Sequence, residues 1–105
     1  MALVLFSLST FAYEASDLIG KWQGVMGDLT VNMTYSSDGQ LFQEIPELGF
    51  SATGQCEVTK IDAFSFVFNC NVDGTSAVVK ANFVSQDTIV IFDQASNQSI
   101  SMDRQ

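Results

Sequence analysis

Residues 29–45, LTVNMTYSSDGQLFQEI, decide the fold. Leu29, Val31, Met33 and Tyr35 fall on one face of an extended chain and Thr30, Asn32, Thr34 and Ser36 on the other, the period of a half-buried strand. A slip of one residue would turn every side chain over, so the alternation also sets the pairing. With Ser37-Asp38-Gly39 as a three-residue loop and Gly39 left-handed, Tyr35 faces Leu41, Met33 faces Gln43 and Val31 faces Ile45. A two-residue loop would turn Glu44 inward and bury an unpaired charge, and is rejected for that reason.

The same pattern extends in both directions. Short segments rich in Val, Ile, Thr and Phe alternate with turn signals at Gly27-Asp28, Asp38-Gly39, Pro46 to Gly49, Asp62, Asp73-Gly74, Gln86-Asp87 and Ser96-Asn97. The strands read as 19–26, 29–36, 40–45, 50–60, 64–72, 77–84, 88–93 and 98–104, with no helical period between them. The chain has 105 residues, 47% of them apolar, enough for one core and not two. Closing a meander of eight strands removes both exposed edges, so the fold class expected is all-β, an eight-stranded antiparallel up-and-down barrel rather than a sandwich.

The register also decides the cysteines. Placing Asp62-Ala63-Phe64 in the next loop sets Val58 opposite Phe68 and Cys56 opposite Cys70, a cross-strand disulfide. Two buried free thiols are the competing reading. An even pair in a small domain of this kind fits an oxidising compartment.

Composition excludes several functions. Four Lys/Arg against twelve Asp/Glu give a net charge of −8, a poor match to nucleic acid. Without histidine the commonest general base and zinc ligand are missing, and two cysteines cannot complete a zinc site. There is no Gly-x-Ser-x-Gly elbow and no calcium-loop spacing. Neither metal nor cofactor is expected, and no enzyme. Asp28, Asp38, Asp62, Asp73 and Asp87 read as turn residues.

At the N-terminus, Ala2 to Leu8 is apolar, and Thr10 and Ala12 can fill the −3 and −1 positions of a signal-peptidase site, although no basic residue precedes the run. Residues 1–17 are read as a secretory signal or a short amphipathic helix, and 18–105 as the barrel. The apolar run is too short for a membrane span of ~20 residues. The localisation expected is periplasmic or secreted.

The first strand opens Leu18-Ile19-Gly20-Lys21-Trp22, and the last ends in Arg104. In this the chain resembles the calycins, the superfamily of lipocalins, fatty-acid-binding proteins and avidins, with Gly-x-Trp on the first strand and often an Arg on the last. Its length is nearest the small bacterial lipocalin-like domains, without the lipocalin C-terminal helix. The resemblance implies that Trp22 and Arg104 meet at the closed bottom in a structural role. It also implies binding of a small hydrophobic ligand. An avidin pocket has several tryptophans and this chain has one, which argues against biotin.

Two function classes follow. As a ligand carrier, the barrel would use Met33, Tyr35, Phe66, Phe68, Phe83 and Ile91 as pocket walls, in a cavity of at least ~300 Å³; the same six could simply fill the interior. As a protein-binding module, such as a periplasmic inhibitor or envelope factor, it would use a rim loop carrying Leu48 and Phe50. An outward apolar patch of Val78, Val84, Val90 and Phe92 could serve as well, covered by the N-terminal segment, a second copy in a homodimer, or another protein.

Overall fold

The structure is a computed structural model and describes residues 12–105. Eight strands form one closed barrel in sequence order: β1 (Gly20–Met26), β2 (Leu29–Tyr35), β3 (Gln40–Ile45), β4 (Phe50–Lys60), β5 (Ser65–Val72), β6 (Thr75–Ser85), β7 (Thr88–Asp93) and β8 (Gln98–Arg104). Every neighbouring pair is antiparallel, and β1 closes on β8 through Trp22↔Arg104, Gln23↔Asp103 and Gly24↔Met102. The fold is the meander barrel that the alternation requires.

The registers agree with the inward-facing pattern. Tyr35 pairs with Leu41 and Met33 with Gln43, and the ladder continues to Asn32↔Glu44. Gly39 sits at φ 89°, the positive angle that a three-residue loop demands and that an L side chain rarely adopts. On the next hairpin Cys56 lies opposite Cys70 and Val58 opposite Phe68, and the two cysteines are joined by a disulfide. It ties β4 to β5 across a separation of 14 residues.

β6 is longer than the sequence pattern indicates, because Asp73 at φ 52° and Gly74 at φ 83° make a two-residue turn that lets pairing run to Val72↔Thr75. At its other end the β6–β7 register shifts between Phe83 and Ser85. The shift leaves Val84 outward and 67% exposed.

The two ends of the barrel differ. The start of β1, the end of β8 and the β2–β3, β4–β5 and β6–β7 connections share one end, which is closed. Residues 13–18 cover it: Tyr13 is buried and its ring stacks on Phe83 at 4.1 Å, while the 3-10 turn Ala15–Leu18 buries Leu18 completely. The Tyr13 amide donates to the Ala63 carbonyl, and Lys60 at the end of β4 pairs with Glu14 at 3.1 Å. Leu18 and Tyr13 thus belong to the core, although the strand alternation, which begins later, gives no sign of them.

Above this plug Trp22, Phe66, Phe68 and Ile89 are essentially inaccessible, with Phe66 and Phe83 edge to face at 5.9 Å and Tyr35 and Phe68 at 5.2 Å. The remaining four connections, Gly27-Asp28, 46–49, Asp73-Gly74 and 94–97, surround the open end. Among the described residues no helix is long and apolar enough to cross a membrane.

Candidate functional site at the open mouth

The closed end is held by a small set of side chains. The Arg104 guanidinium lies over the Trp22 ring at 4.3 Å, and its nitrogens donate to the Asp17, Gln86 and Ile19 carbonyls and to the Asp87 carboxylate. The Trp22 indole N–H donates to the Leu18 carbonyl at 2.9 Å. Gly20, two residues before Trp22, has φ 134°. That angle is open to glycine and strained for other residues, so the glycine lets the chain turn from plug into strand while Trp22 still points inward. Every polar group of this cluster is paired, and its role is to close the barrel.

The open end has unfilled space. A cavity of about 170 Å³ opens there. Its floor is Met33, Met102 and Leu41, and its walls are Val79, Ile91 and Ile100. Met26, Gln43, Asp93, Ser96 and Gln98 stand around it nearer the solvent. The parity of the strands explains the polar members: Gln43 shares the inward face of Leu41 and Ile45, and Asp93 pairs with Val79 and Gln98 at the top of β7. Both can face inward because the barrel is open to water at that level.

Of the six residues nominated as pocket walls, Met33 and Ile91 line this cavity. Tyr35, Phe66, Phe68 and Phe83 lie deeper, buried against one another and against Tyr13. They fill the interior, the alternative reading for those residues. The cavity therefore sits above them, and its volume is below the ~300 Å³ typical of sites that enclose a whole ligand. Met26, Gln43, Asp93 and Gln98 are further members of the lining, and the period-2 pattern places each on the inner face. Counting residues from Trp22 to Met26 and from Ile89 to Asp93 would have found two of them.

Leu48, in the short 3-10 turn Pro46–Leu48, is 62% exposed, and Phe50 at the start of β4 is 47% exposed. Phe50 has inward register opposite Ile45, but stands too near the open end to be covered. Glu47 in the same turn accepts the Thr30 amide at 2.9 Å, which straps the connection to β2 and holds its carboxyl below the usual glutamate range. On the outer wall, Val78, Val90 and Phe92 are half-buried and Val84 exposed, with Lys80 opposite Phe92 and Asn82 opposite Val90 breaking the apolar surface. A second hollow of about 290 Å³ lies outside β1–β3 near Lys21, Thr34, Phe42 and Glu44. Its outward-facing side chains are polar apart from Phe42, so it has no apolar floor.

Among the described residues no group of three or more His, Cys, Asp or Glu could hold a metal ion. No protein-family model matches the chain, and no curated protein sequence matches it. Among solved structures the chain is similar to the crystal structure of Treponema pallidum Tp0751 (pallilysin), with a TM-score of 0.73. The likeness covers 89% of this chain and 82% of that one at 12% identity, and at that identity it speaks for the barrel fold alone.

Proposed function

We propose that the protein is an exported, non-catalytic, lipocalin-like binding module that takes up a slim apolar group at the open mouth of a filled barrel. The observation that carries this reading is the inward-facing cavity at the mouth, over a floor of Met33, Met102 and Leu41. Thioether side chains suit such a site because they repack around different shapes. The disulfide supports an oxidising compartment, and the apolar run with Thr10 and Ala12 supports export.

Volume limits what can enter. A cavity of ~150 Å³ lined by apolar side chains holds benzene, so this mouth takes about six carbons. At ~0.8 kcal/mol for each buried CH₂, six carbons contribute roughly 5 kcal/mol, a ceiling on the order of 0.1 mM that the cost of association moves into the millimolar range or weaker. A ligand that binds more tightly needs further contacts at the rim.

The chain has four methionines, three of which line the cavity. Labelling the methionine methyl groups with carbon-13 and titrating n-hexanol tests the reading by NMR. Saturable shifts of the Met33 and Met102 methyls are expected, with the Trp22 indole N–H at the closed end unmoved. Shifts that never saturate, or that appear equally at Trp22, would overturn it.

A second reading is favoured by the exposure of Leu48 and Phe50 beside the mouth: a protein partner that covers the rim, with the cavity receiving one of its side chains. Replacing both residues by Ser separates the two. Hexanol binding survives that change if the cavity acts alone.

A further inference from the structure

The cavity floor is apolar, and what surrounds it has one sign of charge. The four connections of the open end carry Asp28, Glu47 and Asp73, and Asp93 lines the cavity itself. None of the chain's four cations is there. Arg104 is stacked on Trp22 at the closed end and Lys60 is paired with Glu14 beside the plug. Lys21 follows Gly20 at the start of β1, the closed-end side, and Lys80 is on the outer wall opposite Phe92. Both ion pairs found among the described residues are at the closed end.

Asp93 is the member with direct access. It is half-buried, and its two carboxylate oxygens accept the Ala95 amide at 3.2 Å and the Ser96 hydroxyl at 3.0 Å. Each oxygen keeps a lone pair after those bonds. The carboxylate is therefore fixed in place by its own turn, with acceptor capacity left over and no cation beside it. The uncharged amides of Gln43 and Gln98 line the same cavity.

Resting on the mouth-site reading above, we propose that the mouth selects aliphatic chains ended by an ammonium group, with the chain on the methionine floor and the ammonium beside Asp93, and that it discriminates against fatty carboxylates. An anionic head would be held against a fixed carboxylate in a field of like charge. A cationic head would find a charge-assisted acceptor and long-range attraction from Asp28, Glu47 and Asp73.

Three probes with one tail test this: n-hexylammonium, n-hexanol and n-hexanoate at pH 7, read by the same methionine methyl shifts. At low ionic strength the ammonium should bind about 10-fold more tightly than the carboxylate, with the alcohol between, and the spread should narrow as salt approaches 1 M, where the Debye length falls to about 3 Å. Asp93→Asn should bring hexylammonium close to hexanol. Because that change also touches the β7–β8 turn, the paired variant Asp28→Asn/Asp73→Asn provides a second arm; asparagine suits the positive φ of residue 73. It should weaken hexylammonium about 2- to 4-fold at low salt and leave hexanol unchanged. Equal binding of all three probes, or tighter binding of hexanoate, would sink the charge selection while leaving the mouth site standing. Binding of none of them removes both.

Discussion

The closed end and the open end of this barrel are built from the same eight strands and solve opposite problems. At the closed end a 3-10 turn, the Tyr13–Phe83 stack, the edge-on contact of Trp22 with Phe83 and the Arg104–Trp22 pair fill the space, and the polar groups of that pair are matched to partners. At the open end methionine and branched aliphatics surround a cavity, exposed Leu48 and Phe50 stand nearby, and only carboxylates carry charge. Stability is therefore concentrated at one end, which frees the other to depart from a well-packed core. Sites of recognition are commonly drawn from such low-stability regions of a fold.

Excavating both ends should separate them most clearly. Phe66→Ala removes a fully buried ring packed on Phe83 and should cost about 3–5 kcal/mol in urea unfolding followed by Trp22 fluorescence. Ile91→Ala at the half-buried cavity wall should cost only about 1–2 kcal/mol, because the neighbouring space is already empty and little new void is created. Equal losses at the two positions would mean that the mouth is as tightly built as the base.

The disulfide stands on the wall, where both sulfur-bearing residues are buried. Replacing Cys56 and Cys70 together by Ala should lower stability by about 2–3 kcal/mol in the same assay, mainly by releasing the unfolded chain. Since the aromatic stack does not depend on the bridge, the variant should keep its near-ultraviolet circular dichroism in the folded state. Loss of that signal would show that the closed end needs the covalent tie.

What could be read from the chain beforehand follows the same division. Alternation over 29–45 is strong because one residue of slip would bury Glu44, and that penalty determined both the Gly39 loop and, by extension, the Cys56–Cys70 pairing. Tyr13 and Leu18 are illegible: Tyr13 stands in irregular chain, the four-residue 3-10 turn that ends in Leu18 is too short to show a period, and both are buried only because the end of a barrel needs a cover. At the mouth the difficulty was different. Parity places Gln43 and Asp93 inward, but the alternation carries no information about depth, so it could not say which inward residues meet packed neighbours and which meet water. Tyr35, Phe66, Phe68 and Phe83 have the composition of a pocket wall and fill the core instead. Their rings are large enough to meet across the axis of a barrel this narrow.

Alkali should act through one of those rings. Burial pushes the Tyr35 phenol above its ordinary value of 10.0, and the neighbouring Asp38 carboxylate adds to the rise. The folded state thus favours the neutral phenol. Its contribution is complete below the unfolded value near 10 and is lost as pH climbs through the higher folded value. Unfolding midpoints measured at pH 9 and pH 11 should fall more for the native chain than for Tyr35→Phe. Identical losses would assign the alkaline effect to other groups.

A weaker response belongs to the open end and runs in the acid direction. The Thr30 amide holds Glu47 below its ordinary 4.5, so the ionised carboxylate is what keeps the 46–49 connection strapped to β2. That strap is intact above pH 4.5 and weakens as pH falls through the lower folded value. Because the carboxylate is fully solvated, global stability should hardly change; the local signal is the Thr30 amide, whose proton should move upfield and exchange faster as Glu47 protonates. Acid loosens a comparable tie at the closed end, where the Phe64 amide holds Asp62 low, so the informative quantity is what each release disturbs. At the base the plug has many other bonds and should stay in register. At the mouth, release of Glu47 should carry Leu48 and Phe50 with it, and their side-chain signals should broaden together with the Thr30 amide. If they stay sharp while that amide titrates, the rim is held by packing and Glu47 is not its clasp.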